Sequence, residues 1–316
     1  MSEESSIPSA FDAGMTFNSR AGMVAVVGAA NAGKSSLINR LTGEKVSIVS
    51  PVAQTTRNLV RAILTEEDSQ VVFLDTPGVH SGGGKKLNQQ MNKMARTSTE
   101  GVDRVMLVVD RSKTPVMEVE GWMNRLAKEK EVSLLFILNK CDLENRATKT
   151  LQEMWEKAAA ENECPLVPEW REVSAETGDG VEELKQDLLS SMPLGPYLFP
   201  EELISDFPRK LAIGDIIREQ YFHRLRQELP HSIAVWIEHL EEKGDTWKIE
   251  AHVYVRQNSQ KGMVIGNKGR VLKAVRGAAA TEIHEAFDVR VNLTIVVKVI
   301  KDWDKNFFIL RKLGYA

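Results

Sequence analysis

Cysteine is nearly absent: Cys141 and Cys164 are the only two in 316 residues. They cannot supply a disulfide framework, and no Cys-x-x-Cys pair offers a zinc site, so the expected compartment is a reducing one, the cytoplasm. Long apolar runs are missing too. The longest, such as Val105 to Val109 and Leu134 to Leu138, reach five residues, whereas a membrane-spanning helix needs about 20. Residues 1–20 lack the apolar core of a secretion signal. They also lack the Arg-rich, acid-poor bias of a transit peptide, since Arg20 is their only basic side chain, and a disordered tail is expected there. Against these absences stands an ordinary globular composition, 42% hydrophobic and 27% charged, in a chain long enough for two domains of about 100 to 200 residues each.

The net charge of -3 hides an asymmetry. Residues 1–200 carry 22 basic and 28 acidic side chains, residues 201–316 carry 19 and 16. From residue 251 onward basic groups outnumber acidic ones 12 to 5, and Arg256 to Arg276 holds six basic groups and no acidic one. An acidic front and a basic end predict separate units with separate partners, the basic one suited to nucleic acid or to an anionic membrane surface.

After the tail, apolar runs at Met23 to Val27, Val71 to Leu74, Val105 to Val109, Leu134 to Leu138 and Arg171 to Val173 read as strands. Helical patterns lie between them near Ser36 to Leu41, Leu87 to Glu100, Glu118 to Lys130, Thr148 to Ala160 and Val181 to Ser190. This alternation predicts a doubly wound α/β domain with a mostly parallel sheet over residues 21–191. The segment Met192 to Pro200, with three prolines and a glycine, breaks the pattern and begins a linker expected over 192–205. Beyond it the order is helix (Ile213 to Leu229), strand (Ser232 to Glu238), strand (Lys248 to Val255), a Gly-rich turn, helix (Val271 to Phe287), strand (Val289 to Val299) and a short helix (Lys305 to Leu313). That order predicts a smaller α+β domain over 206–316, with helices on one face of a three-stranded sheet.

The first strand runs into Gly28, Ala29, Ala30, Asn31, Ala32, Gly33, Lys34 and Ser35, a G-x-x-x-x-G-K-S motif followed by a helical pattern that includes Ser36. Its glycines let several backbone N–H groups point into one cavity at a helix start, which favours a polyphosphate. Lys34 would reach the β- and γ-phosphates and the Ser35 hydroxyl would bind Mg²⁺. Asp75, Thr76, Pro77 and Gly78 close the strand at Val71, which puts Asp75 beside Ser35 at the carboxyl edge of the sheet as a second metal ligand. Asn139, Lys140, Cys141 and Asp142 close the strand at Leu134, and Ser174, Ala175 and Glu176 follow the strand at Arg171. The Asp142 carboxylate can accept from guanine N1–H and the 2-amino group, Asn139 can bond the other edge of the base, the Lys140 stem can pack along the ring and the Ala175 N–H can meet O6. Adenine would leave those groups unpaired, so GTP or GDP is the expected ligand.

Taken together, G-x-x-x-x-G-K-S, D-T-P-G, N-K-x-D and S-A-E resemble the set of the translation-factor-like P-loop GTPases. The segment Ser50 to Arg57, with Gln54, Thr55, Thr56 and Arg57, resembles the Q-T-T-R effector loop of the Era family. The resemblance implies that a threonine here closes over Mg²⁺ and the γ-phosphate; Thr56 is assigned, with Thr55 the alternative. Where Ras-like proteins carry a water-orienting glutamine after D-T-P-G, this chain has Val79, which cannot orient water. Slow intrinsic hydrolysis follows, near the roughly 10⁻⁴ to 10⁻² s⁻¹ of unassisted GTPases. The resemblance also implies a potassium ion with Asn31 as ligand, which makes Lys34, Thr56 and Asn31 the residues expected to act on the reaction. Ser81 to Lys86, rich in glycine, is expected to be mobile.

In the basic half, Lys261, Val264, Ile265, Gly266, Asn267, Lys268, Gly269, Arg270 and Lys273 surround a G-x-x-G turn ahead of a helix. In a KH domain such a turn clamps about four nucleotides of single-stranded RNA. Val264, Ile265, Val271 and Leu272 are expected to supply apolar walls for the bases. Ile216 to Glu219, Glu228 to Ser232, the V-I-G-N-K-G turn and the ending Leu310 to Tyr315 also resemble the Era family, so the resemblance spans both domains. It implies a type II KH fold, binding near the 3′ end of small-subunit ribosomal RNA and a role in 30S subunit maturation. The protein is expected to be a cytoplasmic monomer, with peripheral contact at the inner membrane a further expectation. Ala30, where the family usually has proline, is a departure.

Overall fold

The computed structural model describes residues 17–49, 56–78, 86–225 and 229–315. The expectations for residues 1–16, for Ser50 to Thr55, for Val79 and for Ser81 to Lys85 lie outside them. The first half comprises β1 (Arg20–Val27), α1 (Lys34–Thr42), β2 (Val60–Glu66), β3 (Ser69–Asp75), α2 (Lys86–Thr97), β4 (Arg104–Asp110), α3 (Met117–Leu126), β5 (Ser133–Asn139), α4 (Thr148–Glu161), β6 (Glu169–Val173) and α5 (Val181–Ser191). Their six-stranded sheet has the order β2-β3-β1-β4-β5-β6, with every pair parallel except β2 and β3. Alternation along β1 builds two cores. Val24 and Val26 face Leu37, Ile38 and Leu41 of α1 and Leu184 and Leu188 of α5, while Ala25 and Val27 face Trp122 and Met123 of α3 and Leu151 and Trp155 of α4. Helix starts follow local chemistry: α1 and α5 each begin after a glycine in the left-handed region, and Glu182 and Glu183 complement the first turn of α5.

Strand β2 is absent from the sequence reading. Arg61 and Glu66 interrupt its apolar run, and it forms only by antiparallel pairing with β3 at the sheet edge. The expected tail also ends early, because Arg20 already belongs to β1 and its guanidinium donates to the Met192 carbonyl at 2.8 Å. Residues 192–205 run along the β2–β3 edge. Ile63 N–H donates to the Ile204 carbonyl at 2.8 Å, and the buried Gln70 amide accepts from Leu198 N–H at 2.8 Å and Phe199 N–H at 2.9 Å. This covers polar groups that an edge strand would otherwise expose.

The second half comprises α6 (Arg209–Phe222), β7 (Ala234–Lys243), β8 (Thr246–Val255), α7 (Asn258–Ile265), α8 (Arg270–Phe287), β9 (Arg290–Val299) and α9 (Phe307–Lys312). The sheet order is β7-β8-β9, with β8 and β9 parallel. Ile213 and Ile217 of α6 and Val275, Ala279 and Ile283 of α8 pack on its inner face. Two differences from the sequence reading stand out. Helix α7 replaces the first part of the expected Gly-rich turn, and α6 begins at Arg209 and ends at Phe222. A second cluster, of Ala234, Tyr254, Trp303, Leu310, Leu313 and Tyr315, joins Leu87 and Met91 of α2, so both halves share it. Trp247 lies in the inner core and Trp236 beneath Lys312, as packing residues.

Charged groups join the halves as well. Lys45 Nζ lies 2.9 Å from Glu219 Oε2 of α6 and 2.5 Å from Glu282 Oε1 of α8, and Val49 N–H donates to Glu219 Oε1 at 3.0 Å. Burial, reinforced by Glu282 and opposed by Lys45, pushes the Glu219 carboxyl up to about 7. Arg57 is fully buried and donates to the carbonyls of Ile233 and His231 at 2.8 and 3.2 Å. Burial and the nearby Arg218 push its guanidinium down to about 10, still charged at neutral pH.

Candidate functional site

The carboxyl ends of β1, β3, β5 and β6 converge on one edge of the six-stranded sheet, and the loops that follow them build one cradle. β1 lies between β3 and β4, so the crossovers leave the crevice where open α/β sheets take ligands. After β1, Gly28 and Gly33 hold φ angles of 145° and 95°. A Cβ on Gly28 would lie 2.3 Å from the Val108 carbonyl oxygen, and one on Gly33 would lie 2.1 Å from Asn139 Nδ2. Only glycine fits either place. Gly78 likewise presses against the backbone of Ala30, where a Cβ would meet N at 2.9 Å. Ala30, Asn31, Gly33, Lys34, Ser35, Ser36, Ile48, Val49, Thr56 and Gly78 enclose a cavity of about 60 Å³ at the start of α1.

Lys34 is buried in that cradle, its Nζ donating to the carbonyls of Ala29 at 2.9 Å and Gly28 at 3.2 Å. Burial pushes its ammonium down to about 8, against the opposing pull of Asp75. Ser35 Oγ donates to Asp75 Oδ2 at 2.7 Å and lies 2.9 Å from Thr56 Oγ1. The second carboxylate oxygen of Asp75 is buried with no hydrogen bond of good geometry among the described residues, and burial raises the group's pKa against the pull of Ser35, Lys34 and the Ser47 hydroxyl. Three hard oxygen donors around a buried carboxylate oxygen fit Mg²⁺. Thr56, the assigned threonine of the Q-T-T-R pair, stands beside Ser35. Thr76 is buried and its hydroxyl donates to the Val26 carbonyl at 2.7 Å.

At the other end, Asn139 Nδ2 donates to the Ala32 carbonyl at 2.8 Å and its Oδ1 accepts from Ala175 N–H at 3.1 Å. The amide expected to bond a base edge therefore ties three loops together, and the N–H expected to meet O6 is already engaged. Lys140 Nζ bridges the Asn31 carbonyl at 3.1 Å and Asp110 at 2.5 Å, while Ser174 Oγ donates to Asp142 Oδ1. Burial works to raise Asp110, but hydrogen bonds from Lys140 and Ser112 hold it below the usual range. Asp110 and Asn31 are thus the unforeseen anchors of the Lys140 side chain. Cys141 is a half-buried free thiol raised by its burial.

In the second half, α7 and α8 meet at Gly266, Asn267, Lys268 and Gly269. Gly266 and Gly269 have φ of 76° and 75°, and a Cβ on Gly266 would lie 2.9 Å from Val271 N. Asn267, Lys268, Arg270 and Lys273 are exposed and Lys261 and Ile265 half-buried. Val264 is wholly buried in the core, so its side chain cannot form the apolar wall expected of it. A groove of about 250 Å³ between α8 and β9 is lined by Gly269, Leu272, Lys273, Arg276, Thr294 and Ile295. Only the fold reveals Thr294 and Ile295, which come from a distant strand with no motif.

Comparison with known proteins agrees with this two-part layout. A family profile described as a 50S ribosome-binding GTPase matches residues 23–140, and one described as a KH domain matches residues 228–304. The GTPase Era of Crocosphaera subtropica is 38% identical, over 94% of this chain and 92% of its own length. That of Geotalea uraniireducens is 37% identical, over 94% and 98%. The chain belongs to the Era family of GTPases. Two Era crystal structures superpose with TM-scores of 0.85. One, from Aquifex aeolicus and bound to GDP and AlF4⁻, is 32% identical and covers 94% of this chain and 99% of its own. The other, in complex with MgGDPNP and nucleotides 1506–1542 of 16S ribosomal RNA, is 31% identical and covers 95% and 100%. The family's fold, a P-loop GTPase domain followed by a KH domain, is the one described above.

The Lys34 ammonium carries a pH dependence. Above its pKa of about 8 the amine is neutral in the free protein and must take up a proton as a polyphosphate binds. GTP affinity is expected to fall as the pH rises from 8 to 9.5, by up to about tenfold per unit. Titration calorimetry in buffers of different ionisation heat reads the proton uptake directly; equal heats at pH 8.5 would show that Lys34 is already charged in the free protein and would end the expected pH dependence.

Proposed function

We propose that this chain binds and slowly hydrolyses GTP, and that its KH domain holds single-stranded RNA near the 3′ end of small-subunit ribosomal RNA during 30S assembly. The observation that carries this reading is the whole-chain superposition on an Era that holds MgGDPNP and 16S ribosomal RNA nucleotides together. The profile that mentions the 50S subunit covers only residues 23–140, which include none of the G-x-x-G turn, so it does not bear on the RNA. We take residues 21–191 as the nucleotide unit, 192–205 as the connector and 206–316 as the RNA unit.

In this reading residues 28–36 wrap the phosphates, and Lys34 and the start of α1 meet their charge. Ser35, Thr56 and Asp75 would hold Mg²⁺, which when bound supplies positive charge at the β- and γ-phosphate oxygens. Asp142 accepts from guanine, Lys140 packs along the ring, and Asn139 and Ser174 keep that pocket in shape. Thr76, Pro77, Gly78 and Cys141 supply backbone close to the ligand. Lys261, Ile265, the Gly266–Gly269 turn, Arg270 and Lys273 contact RNA, with the Arg276, Thr294 and Ile295 groove receiving bases. The protein acts as a monomer in the cytoplasm, and its basic end is what supports a peripheral contact with the inner membrane.

The first test is affinity for a 3′-terminal 16S-type RNA fragment with GDP and with a non-hydrolysable GTP analogue, at two salt concentrations. With about four phosphate contacts, log K is expected to fall against log salt with a slope of roughly -2.8. Binding that is tight, salt-dependent and stronger with the analogue supports a switched assembly factor; no binding in either state overturns the RNA assignment. Asp142→Asn exchanges a pure acceptor for a donor and acceptor pair, so preference is expected to move from GTP to xanthosine triphosphate. Unchanged preference would remove Asp142 from base recognition. Asn31 is the proposed potassium ligand, and turnover is expected to be faster in potassium than in sodium at equal ionic strength. Equal rates would end that assignment.

A further inference from the structure

Hydrogen bonds joined by short stretches of backbone link the nucleotide cradle to the Gly266–Gly269 turn. Thr56 lies 2.9 Å from Ser35 in the cradle. The next residue, Arg57, turns the opposite way and enters the second half with no exposed surface. Its two terminal nitrogens donate to the carbonyls of Ile233 at 2.8 Å and His231 at 3.2 Å, the residues on either side of Ser232. Ser232 is itself buried. Its hydroxyl accepts from Gln260 Nε2 at 3.1 Å and donates to the Leu229 carbonyl at 2.9 Å, while its carbonyl accepts from Trp303 Nε1 at 3.0 Å. Gln260 Oε1 accepts from Arg256 N–H at 2.8 Å, so the amide is held at both ends. Gln260 lies in the first turn of α7, and α7 ends at Ile265, directly ahead of the turn.

The mechanics follow from the geometry. Thr56 and Arg57 share one peptide unit, so a movement of Thr56 on metal or γ-phosphate binding moves the start of the Arg57 side chain. A buried guanidinium cannot leave both carbonyl partners without large cost. The shift is passed to residues 231–233 to the extent that the Arg57 side chain, packed with no exposed surface, does not take it up by torsion. Ser232 hands it to Gln260, and an eight-residue helix carries it as a rigid body to the far end. Arg57 also interacts with Tyr315, Arg218 and Asp215, which tie it to α6 and to the end of the chain.

We propose that Arg57, Ser232 and Gln260 are positioning residues that couple the placement of Thr56 to the orientation of the Gly266–Gly269 turn, and so set the difference in RNA affinity between the two nucleotide states. This rests on the GTP and RNA reading given under Proposed function. Contiguity alone does not establish coupling, so the decisive quantity is thermodynamic.

The test measures the Kd of the full chain for the 3′-terminal 16S-type RNA fragment with GDP and with the non-hydrolysable analogue, and takes their ratio. The proteins are the wild type, Arg57→Lys, Ser232→Ala, Gln260→Leu and the Arg57→Lys/Ser232→Ala pair. The wild-type ratio is expected in the usual range for coupled sites, roughly 5 to 150. Each single variant is expected to bring it to within about twofold of unity, and the pair to lose no more than either alone. GTP affinity of Ser232→Ala and its RNA affinity with GDP are expected to stay within about twofold of wild type, which a purely destabilising change would not preserve. If Arg57→Lys does not fold, Ser232→Ala and Gln260→Leu decide. A wild type that switches alongside Ser232→Ala and Gln260→Leu variants that switch equally overturns the relay alone, as do additive losses in the pair. A wild-type ratio of one overturns the switch itself and the relay with it.

Discussion

The side-chain amide of Asn139 is the constraint around which the nucleotide cradle is arranged. It leaves the end of β5, donates to the Ala32 carbonyl and accepts from Ala175 N–H, so three loops from three parts of the chain are held by one planar group. Its passage beside Gly33, with no room for a Cβ, makes that glycine obligatory for steric as well as conformational reasons. Ser35, which the oxygen cluster shares with Thr56 and Asp75, follows Ala32 by three residues, in the first turn of α1. Buried polar groups that are fully paired rigidify their surroundings, and Asp75 keeps a buried carboxylate oxygen without a well-formed hydrogen bond among the described residues, where the proposed cation would bind.

A second set of buried charges joins the two halves. Glu219 and Arg57 grip the chain on either side of residues 50–55, one through Lys45 and Val49 N–H and the other through two carbonyls of the second half. Leu87 and Met91 of α2 add an apolar contact to Tyr254 and Trp303. These charged contacts are costly to break singly, since removal of one partner leaves a desolvated charge. The halves therefore touch beside the segment that the family resemblance assigns to sensing the γ-phosphate.

Much of this was legible in the sequence because it depends on local chemistry. The glycines of the phosphate loop and of the G-x-x-G turn mark backbone that only glycine adopts easily, and the central parallel strands β4 and β5 are runs apolar on both faces. Harder to read were β2, whose charges disguise a strand that needs β3 beside it, and α7, whose Gly262 and polar start resemble a loop. Val264 was misassigned because the period that places it toward the core belongs to a helix not foreseen. The identities at the cradle were legible, but the engagement of Asn139 with Ala32 and Ala175 was not.

The sequence by itself determined which groups were available: the phosphate loop, the acidic groups at strand ends, the guanine-matching carboxylate and the basic turn. Each is a short motif whose spacing carries its own physical meaning, independent of distant residues. Only the tertiary structure decided that Thr56 stands beside Ser35, that Arg57 enters the other half, and that Thr294 and Ile295 complete a groove begun by α8. Those contacts join residues far apart along the chain. They arise from packing two sheets and their helices against one another, and no local pattern encodes which distant backbone carbonyl a buried guanidinium will find.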